Sequence, residues 1–376
     1  MRCLSAARGT CLACLWNPAD GTMEHSTSIH RDSGRVQRSV GIVGTGLIGG
    51  SIGLGLRKAG WHVTAFDPDP DIREIAEDRS VADVMVGSFE ALMNTSPDLL
   101  VVAAPPKATI EIISNLETMI PTMDVAGVKE PVLAVAPADL RFVPTHPMAG
   151  REVSGPRAAT AALFSGAAWV VIDTDADADA VGIVSLAITD LGARIVTMSA
   201  PEHDRAVAAV SHLPHIVAGA LLSGASATPE ALELSAGSFR DLTRVGASMP
   251  IPWVEILKTN RGPMLAAIGL LRDRLSAIEA AIVSQDDSLL RLLSDARDTR
   301  RSLGAQTAQV RVALADEPGE LAKVGHAFEN SSADIRDIQM RHAPYGGGGV
   351  LSVSVRPGEE SALRAALTEA GLLVVE

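Results

Sequence analysis

The chain has 376 residues, of which 47% are hydrophobic and 3% aromatic, a length that suggests two or three domains. Its formal net charge of −13 and its isoelectric point near 5.2 argue against nucleic acid or an anionic membrane surface as a partner. No apolar run reaches the roughly 18 to 20 residues that span a bilayer, so we expect a cytoplasmic protein.

Residues 1–38 are predicted to form a disordered extension. This segment contains all three cysteines, and Cys11 and Cys14 form a C-x-x-C without a second ligand pair nearby. The acidic run at 173–179 lacks the glycine and the glutamate that a calcium loop requires at its sixth and twelfth positions. The sequence therefore predicts neither a disulfide framework nor a bound metal.

Residues 39–200 alternate between strand-like and helix-like stretches. The predicted strands are 40–44, 63–67, 98–104, 123–127, 141–145, 168–173 and 193–198. Most of them are continuously apolar, as in a parallel sheet that is covered on both faces. The intervening helical stretches, such as 47–59 and 108–119, complete an α/β pattern with a doubly wound sheet.

Two further domains are predicted after this sheet. Residues 201–304 are dominated by helical runs at 201–223, 229–237, 250–284 and 286–302, which indicates an all-helical domain for substrate binding or dimerisation. Residues 305–376 have the pattern strand, helix, strand, strand, helix, strand, which is typical of a ferredoxin-like βαββαβ module.

The segment GTGLIG at 44–49 is a G-x-G-x-x-G motif between a strand and a helix, and Asp67 ends the next strand. In this context the motif predicts a Rossmann-type dinucleotide site, with Gly44 in the tight turn, Gly46 beneath the pyrophosphate and Gly49 at the helix–strand contact. Leu47 and Ile48 open the helix whose N-terminus faces the phosphates. Because the Asp67 carboxylate can accept bonds from ribose hydroxyls and would repel a 2′-phosphate, we predict NAD as the cofactor.

Five segments carry polar groups in otherwise apolar surroundings. They are DVAGVK (124–129), THPMAGRE (145–152), SHLPH (211–215), FRDLTRVG (239–246) and the stretch from Trp253 to Arg261. The first two follow strands and should lie at the carboxyl edge of the sheet, where doubly wound folds bind ligands. A cleft between domains would bring all five together.

Together with GLIGGS after the first strand, these segments resemble the prephenate and arogenate dehydrogenases of tyrosine biosynthesis. The resemblance covers residues 40–303, and the last module looks like an ACT domain. It implies that hydride passes from a cyclohexadienol to NAD while the ring loses CO2. His146 matches the catalytic base, His215 a second substrate-binding histidine and Arg244 the carboxylate-binding arginine. Glu152, Asp241 and Trp253 are assigned to the substrate pocket.

One motif departs from the family pattern. Many members have a serine in D-V-G-S-V-K that bonds the catalytic histidine or the substrate, whereas this chain has Ala126 and Gly127 there. No hydroxyl is available at these positions. The sequence therefore leaves open what orients His146.

Several alternatives remain at this point. Arogenate is the alternative to prephenate as substrate, and the chain is expected to form a homodimer whose ACT-like domain binds tyrosine or another aromatic amino acid at the turn Asp316–Gly319. A hydroxyacid dehydrogenase of the 6-phosphogluconate-like group would need a catalytic lysine, for which Lys258 is the only candidate between 201 and 303. A non-catalytic amino-acid sensor would have no need of His146, His215 and Arg244 together.

Overall fold

The computed structural model describes residues 37–151, 153–284, 286–302, 308–342 and 348–375. Cys11, Cys14 and the rest of the predicted extension up to residue 36 lie outside these ranges, as does Glu152. The chain forms two compact units, which divide between Gly269 and Leu270.

The first unit contains a parallel sheet of six strands. They are β1 (Ser39–Val43), β2 (His62–Phe66), β3 (Val84–Met85), β4 (Leu99–Val102), β5 (Thr122–Asp124) and β6 (Phe142–Val143), in the spatial order β3-β2-β1-β4-β5-β6. This order is that of dinucleotide-binding domains, and it reverses direction between β1 and β4. The strands β1 and β4 are almost fully buried, which confirms the reading of their continuous apolar runs.

Helices cover both faces of this sheet. They are α1 (Leu47–Lys58), α2 (Pro70–Asp78), α3 (Phe89–Met93), α4 (Pro106–Ser114), α5 (Glu130–Leu133) and, later in the chain, α6 (Ala178–Asp190). One face of the sheet packs Ile42 and Val63 against Leu56 of α1 and Val184 of α6. The other face packs Leu100 and similar side chains against α4 and α5.

A second, smaller sheet follows directly. It consists of β7 (Thr145–Pro147), β8 (Ala168–Ile172) and β9 (Arg194–Met198), with β7 antiparallel to β8. The sequence predicts one strand over 141–145, but the chain divides at Pro144 and its two halves join different sheets. Because proline has no N–H to donate to the ladder, the parallel sheet ends there.

The helical part of the chain is more divided than its sequence pattern predicts. Its elements are α7 (Ala200–Val207), a π-helical turn (Ala208–His212), α8 (Leu213–Ser226), α9 (Pro229–Glu233), α10 (Gly237–Thr243), a 3₁₀ turn (Arg244–Ala247), α11 (Pro250–Thr259), α12 (Arg261–Ser284) and α13 (Ser288–Ser302). The predicted run 250–284 breaks at Asn260, and Pro263 lies in the first turn of α12, where its missing N–H is not needed.

The helical stretch Ala200–Ser226 is long and apolar enough to cross a membrane, judged by length and composition alone. The expectation that no segment reaches this threshold was therefore wrong. Only 22% of its most apolar window is buried within the chain, and Val210 is 70% exposed. An apolar surface of this kind marks a site of association.

The second unit ends in a small antiparallel sheet. Its elements are β10 (Ala308–Leu314), α14 (Glu320–Ser331), β11 (Ile335–His342), β12 (Gly349–Val355), α15 (Glu360–Glu369) and β13 (Leu373–Val375). The strand order β11-β12-β10-β13 is that of a ferredoxin-like module, as predicted. Both helices pack on one face, where Val324 and Leu363 meet Val312 and Val353.

Candidate functional site

The turn after β1 has the shape that a phosphate-binding loop requires. Gly44 has a φ of 91°, and a Cβ there would collide with the carbonyl oxygen of Ala103. A Cβ on Gly49 would collide with the carbonyl oxygen of Gly44, so α1 begins close against the end of β1. A Cβ on Gly46 would meet no described atom within 4 Å. Within the described chain no side chain caps α1, so its first N–H groups suit a diphosphate.

Asp67 follows β2 and closes the same loop. Its Oδ2 accepts a hydrogen bond from the backbone N–H of Thr45 at 2.7 Å, and its Oδ1 accepts one from the N–H of Asp69 at 3.1 Å. Oδ2 also accepts from the Thr45 hydroxyl at 3.3 Å, whereas Oδ1 keeps a second lone pair that can accept from a ribose hydroxyl. Arg73, the first cation after Asp67 in the sequence, is bonded to the backbone, because its Nη1 donates to the carbonyl oxygens of Asp67 and Pro68. These residues fit NAD.

His146 lies in the middle of β7, opposite Val170 of β8. Its side chain is partly buried, and its Nδ1 lies 2.8 Å from Nε2 of His203 on α7. The two rings meet edge to face, with centroids 5.0 Å apart. The imidazole of His146 is thus held on its Nδ1 side by a residue that the sequence analysis did not select.

His203 is in turn held by its neighbour Asp204. The Nδ1 of His203 lies 2.8 Å from Oδ1 of Asp204, and both residues are at most 1% exposed. Asp204 also accepts the backbone N–H groups of Lys129 and Glu130, at 2.8 and 2.9 Å. These bonds tie the start of α7 to the loop after β5, so that the two segments position His146 together.

The start of α7 is set by local sequence. Ser199 and Glu202 form a capping box, in which Ser199 Oγ accepts from the N–H of Glu202 and Glu202 Oε2 accepts from the N–H of Ser199. Pro201 occupies the first turn. Because the helix begins at a defined residue, His203 and Asp204 face inward in its first turn. Their sequence, Glu-His-Asp-Arg, is that of an ordinary solvated helix and gives no signal of burial.

A buried ion pair supports the strand that carries His146. Lys129 and Asp124 are both fully buried, and Lys129 Nζ donates to Asp124 Oδ2 and to the carbonyl oxygen of Thr145. Asp124 Oδ1 accepts from the N–H of Thr145 at 3.2 Å. Trp169 Nε1 donates to the Thr145 hydroxyl at 2.9 Å. Since Thr145 directly precedes His146, these bonds fix the backbone beneath the imidazole.

The segment without the family serine lies on the other side of the ring. A Cβ on Gly127 would lie 3.7 Å from Nε2 of His146, which is ordinary van der Waals distance. A serine at this position would therefore have its hydroxyl near Nε2, whereas His203 holds Nδ1. The structure thus gives His146 an orienting partner that does not depend on a hydroxyl at residue 127.

The same network extends to two residues of the predicted pocket. Asn260 Nδ2 donates to the carbonyl oxygen of Asp204 at 2.9 Å and lies 3.2 Å from Nδ1 of His212. His212 meets the edge of Trp253, which stacks on the ring of His215 with centroids 3.4 Å apart. The structure therefore links His146, Trp253 and His215 through a chain of hydrogen bonds and ring contacts.

His215 has its own backbone partner. Its Nδ1 lies 3.0 Å from the carbonyl oxygen of Ser211, a carbonyl in the π-helical turn. Because a carbonyl only accepts, the Nδ1 of His215 carries the hydrogen and its Nε2 is left for another partner. Turns of this type occur often at functional sites.

Three further residues that the sequence analysis selected are exposed. Asp241 on α10 and Arg244 at the start of the following turn are exposed. Their segment packs against α8, since a Cβ on Gly246 would touch Leu222. Lys258, the lysine of the alternative reading, is exposed on α11.

Burial keeps two histidines of this network, His146 and His212, neutral. Desolvation lowers the pKa of His146 well below its usual value of 6.5, with smaller contributions from the nearby His203 and Lys129. Desolvation also lowers the pKa of His212 to about 4. A neutral imidazole at His146 is the form that can accept a proton. Across the part of the chain that the structure describes, no cluster of three or more His, Cys, Asp or Glu side chains is arranged to hold a metal ion.

Comparison with known families decides between the open readings. The nucleotide-binding domain of prephenate dehydrogenase matches residues 52–197, and the dimerization domain of prephenate dehydrogenase matches residues 199–295. The two matches are consecutive and cover well over half of the chain. The chain belongs to the prephenate dehydrogenase family.

Individual relatives agree with this family. The cyclohexadienyl dehydrogenase of Zymomonas mobilis is 32% identical over 285 residues, which cover 71% of this chain and 97% of that protein. A prephenate dehydrogenase from Aquifex aeolicus, solved with hydroxyphenyl propionate and NAD+, has a TM-score of 0.65 at 28% identity, covering 72% of this chain and 99% of that one. An arogenate dehydrogenase from Synechocystis has a TM-score of 0.61 at 26% identity, covering 71% and 100%.

Membership of the prephenate dehydrogenase family makes this chain an NAD-dependent dehydrogenase. This favours the first of the three readings over the hydroxyacid dehydrogenase and the amino-acid sensor. The cofactor prediction from Gly44, Gly46, Gly49 and Asp67 agrees with it.

Proposed function

We propose that the chain catalyses the oxidative decarboxylation of prephenate to 4-hydroxyphenylpyruvate, with His146 as the base for the ring hydroxyl. The observation that carries the assignment is the geometry of His146 within this family: one ring nitrogen is held by His203, and the other lies toward the loop at Gly127. A base that is oriented on one side and accessible on the other is what proton abstraction requires.

The residues divide the chemistry as follows. NAD, when bound, supplies the nicotinamide carbon that accepts a hydride. His146 removes the proton of the ring hydroxyl while hydride leaves the ring carbon that bears this hydroxyl. His146 then returns the proton to the phenolate that forms when CO2 departs. The buried surroundings of His146 exclude water and keep its imidazole neutral before the reaction.

Arg244, His215 and Trp253 bind the substrate in this proposal. The guanidinium of Arg244 holds a carboxylate through two parallel hydrogen bonds, which its planar shape allows. His215 presents Nε2 because its Nδ1 is used by the Ser211 carbonyl, and Trp253 fixes the ring by stacking. The family resemblance assigns Asp241 and Glu152 to the same pocket.

Formation of NADH by the full-length chain tests this function. Prephenate should support turnover, and arogenate is the second candidate because of the similarity to the Synechocystis arogenate dehydrogenase. A kcat/KM for arogenate that exceeds the value for prephenate would replace the first assignment by the second. No NADH with either substrate would contradict both.

We infer that the active form is a homodimer. The segment 199–295 matches a dimerization domain, and it carries exposed apolar side chains such as Leu242, Ile251 and Leu265. A second copy of the chain would cover this surface, and with it the apolar stretch Ala200–Ser226. The assays are therefore made at protein concentrations at which analytical ultracentrifugation gives the mass of a dimer.

We place the enzyme in the cytoplasm.

The ferredoxin-like module is proposed to bind tyrosine or another aromatic amino acid as an ACT-like regulatory domain. Its turn Asp316–Gly319 is exposed, and Gly319 has a φ of 97° at the start of α14. This turn presents backbone groups that can bind an amino acid. The assay above, repeated with added tyrosine, phenylalanine and tryptophan, should show inhibition by one of them, and no response to any would refute the sensing role.

Asp67 is expected to determine the choice of dinucleotide. A 2′-phosphate beside its carboxylate costs several kcal/mol, so kcat/KM for NAD should exceed that for NADP by at least about 10²-fold. Asp67→Asn should narrow this ratio, whereas Asp69→Asn, which changes a neighbouring carboxylate that caps α2, should not. Steady-state kinetics with both cofactors measure the ratio. A wild-type preference for NADP would contradict the role of Asp67.

Arg244→Lys should raise KM for prephenate by roughly 10- to 100-fold, because a charge-assisted bond pair contributes about 1.5–3 kcal/mol and an ammonium cannot form both bonds. The matched control is Arg240→Lys, on the exposed surface of α10. KM for NAD should not change in either variant. An unchanged KM for prephenate in Arg244→Lys would remove Arg244 from the site.

A further inference from the structure

The hydrogen-bond partners of Asp204 determine which nitrogen of His203 carries a hydrogen. The Asp204 carboxylate accepts two backbone N–H groups, from Lys129 and Glu130, and its Oδ1 also lies 2.8 Å from Nδ1 of His203. An ionised carboxylate has no hydrogen to donate. The Nδ1 of His203 is therefore the donor in this pair.

The tautomer of His203 also determines which nitrogen of His146 carries a hydrogen. With its hydrogen on Nδ1, a neutral His203 has a lone pair on Nε2, and this atom lies 2.8 Å from Nδ1 of His146. The hydrogen between the two rings must then belong to His146. The remaining nitrogen of His146, Nε2, is left without a hydrogen on the side of Gly127.

We propose that His203 is a positioning residue that fixes the tautomer of His146, and that Asp204 fixes His203 in the same way. The inference rests on the proposed role of His146 as base. In Ser-His-Asp triads a carboxylate orients the basic imidazole directly. Here the imidazole of His203 lies between the carboxylate of Asp204 and the imidazole of His146. His203 orients His146 at Nδ1, because residue 127 is a glycine and has no hydroxyl to orient it.

The arrangement is rigid and protected from water. His203 is fully buried and Asp204 is 1% exposed. The capping box at Ser199 fixes the helix start, and Asn260 donates to the carbonyl oxygen of Asp204. Reversing both hydrogen bonds would leave Asp204 facing a lone pair of His203, which is unfavourable for a buried carboxylate. With His203 neutral, only one tautomer of His146 is compatible with the full set of bonds.

Nitrogen NMR of the full-length chain, labelled in the imidazole rings of its nine histidines, tests the tautomer directly. The His146 signals are assigned by their loss in His146→Asn. In the wild type near neutral pH, Nδ1 of His146 should carry the hydrogen and Nε2 should not. In His203→Leu this preference should be lost. A hydrogen on Nε2 in the wild type, or an unchanged tautomer in His203→Leu, would overturn the proposal.

Kinetics separate positioning from general structural damage. His203→Leu should lower kcat by roughly 10²-fold, in line with losses of partners that orient a functional imidazole. His203→Gln keeps an oxygen acceptor for His146 and should retain kcat within about tenfold of wild type. NAD affinity should be unchanged in both, and the exposed His62→Leu serves as control. Equal kcat losses in the leucine and glutamine variants, or wild-type kcat in His203→Leu, would refute the positioning role.

The two readouts distinguish this proposal from the assignment of the base. If His146→Asn turns over normally, His146 is not the base, and the NMR result still reports whether His203 sets its tautomer. If His146→Asn is inactive while His203→Leu is fully active, the base assignment stands and the positioning proposal fails.

Discussion

Replacing His146 by asparagine is expected to lower kcat by about 10²-fold or more, the usual loss when a general base is removed. Asparagine is smaller than histidine and can still donate to His203, but it has no basic nitrogen toward Gly127. NAD affinity should be unchanged, because the dinucleotide loop at Gly44–Gly49 does not include residue 146. Steady-state NADH formation and equilibrium NAD binding measure the two quantities.

The pH dependence of the wild type gives a second test of the same base. His146 must be neutral to accept a proton, so activity is lost as pH falls through its pKa. Because burial lowers that pKa well below 6.5, kcat/KM should stay level from pH 8 down to 6.5 and decrease only at lower pH. A decline that begins above pH 7 and disappears in His146→Asn would contradict the lowered pKa. Wild-type turnover in His146→Asn would refute the role itself.

Lys129→Met should lower the free energy of unfolding by about 3–5 kcal/mol, the usual effect of removing one partner of a buried ion pair. Methionine fills similar space but leaves the buried Asp124 carboxylate without its cation and the Thr145 carbonyl without a donor. Urea-induced unfolding followed by tryptophan fluorescence measures the change, since all four tryptophans precede Leu270.

Two further variants make this result specific. Lys58→Met removes an exposed lysine at the end of α1 and should change stability by less than about 0.5 kcal/mol. Adding Asp124→Asn to Lys129→Met removes the uncompensated charge and should recover part of the loss, as expected for residues in direct contact. A loss below about 1 kcal/mol in Lys129→Met would show that the pair does not stabilise this strand.

The cofactor loop is the part of the site that was most predictable from sequence. Glycines at 44 and 49 are required by backbone geometry, Gly46 leaves room for the pyrophosphate, and the carboxylate at 67 comes at the end of the neighbouring strand. Both features are local or depend on a single strand pairing. The ferredoxin-like module was predictable for the same reason, because its strands and helices alternate at short spacing.

The surroundings of His146 were not predictable in this way. Pro144 diverts the chain from one sheet to another, and the apolar pattern over 141–145 does not show this division. His203 and Asp204 lie in a helix start whose sequence is typical of a solvated surface. They are buried because the loop at Lys129 and Glu130 packs against them, which is a contact over more than 70 residues of sequence.

The sequence by itself determined the sequence of domain types, the dinucleotide loop and the choice of His146 as the proposed base, because each depends on residue type and short spacing. The tertiary structure decided what holds that histidine. Hydrogen bonds between distant segments direct a second imidazole onto His146 Nδ1, and their donors and acceptors are defined only when α7 packs against the loop after β5. The missing hydroxyl at Gly127 had raised this question, and His203 answers it from the opposite side of the ring.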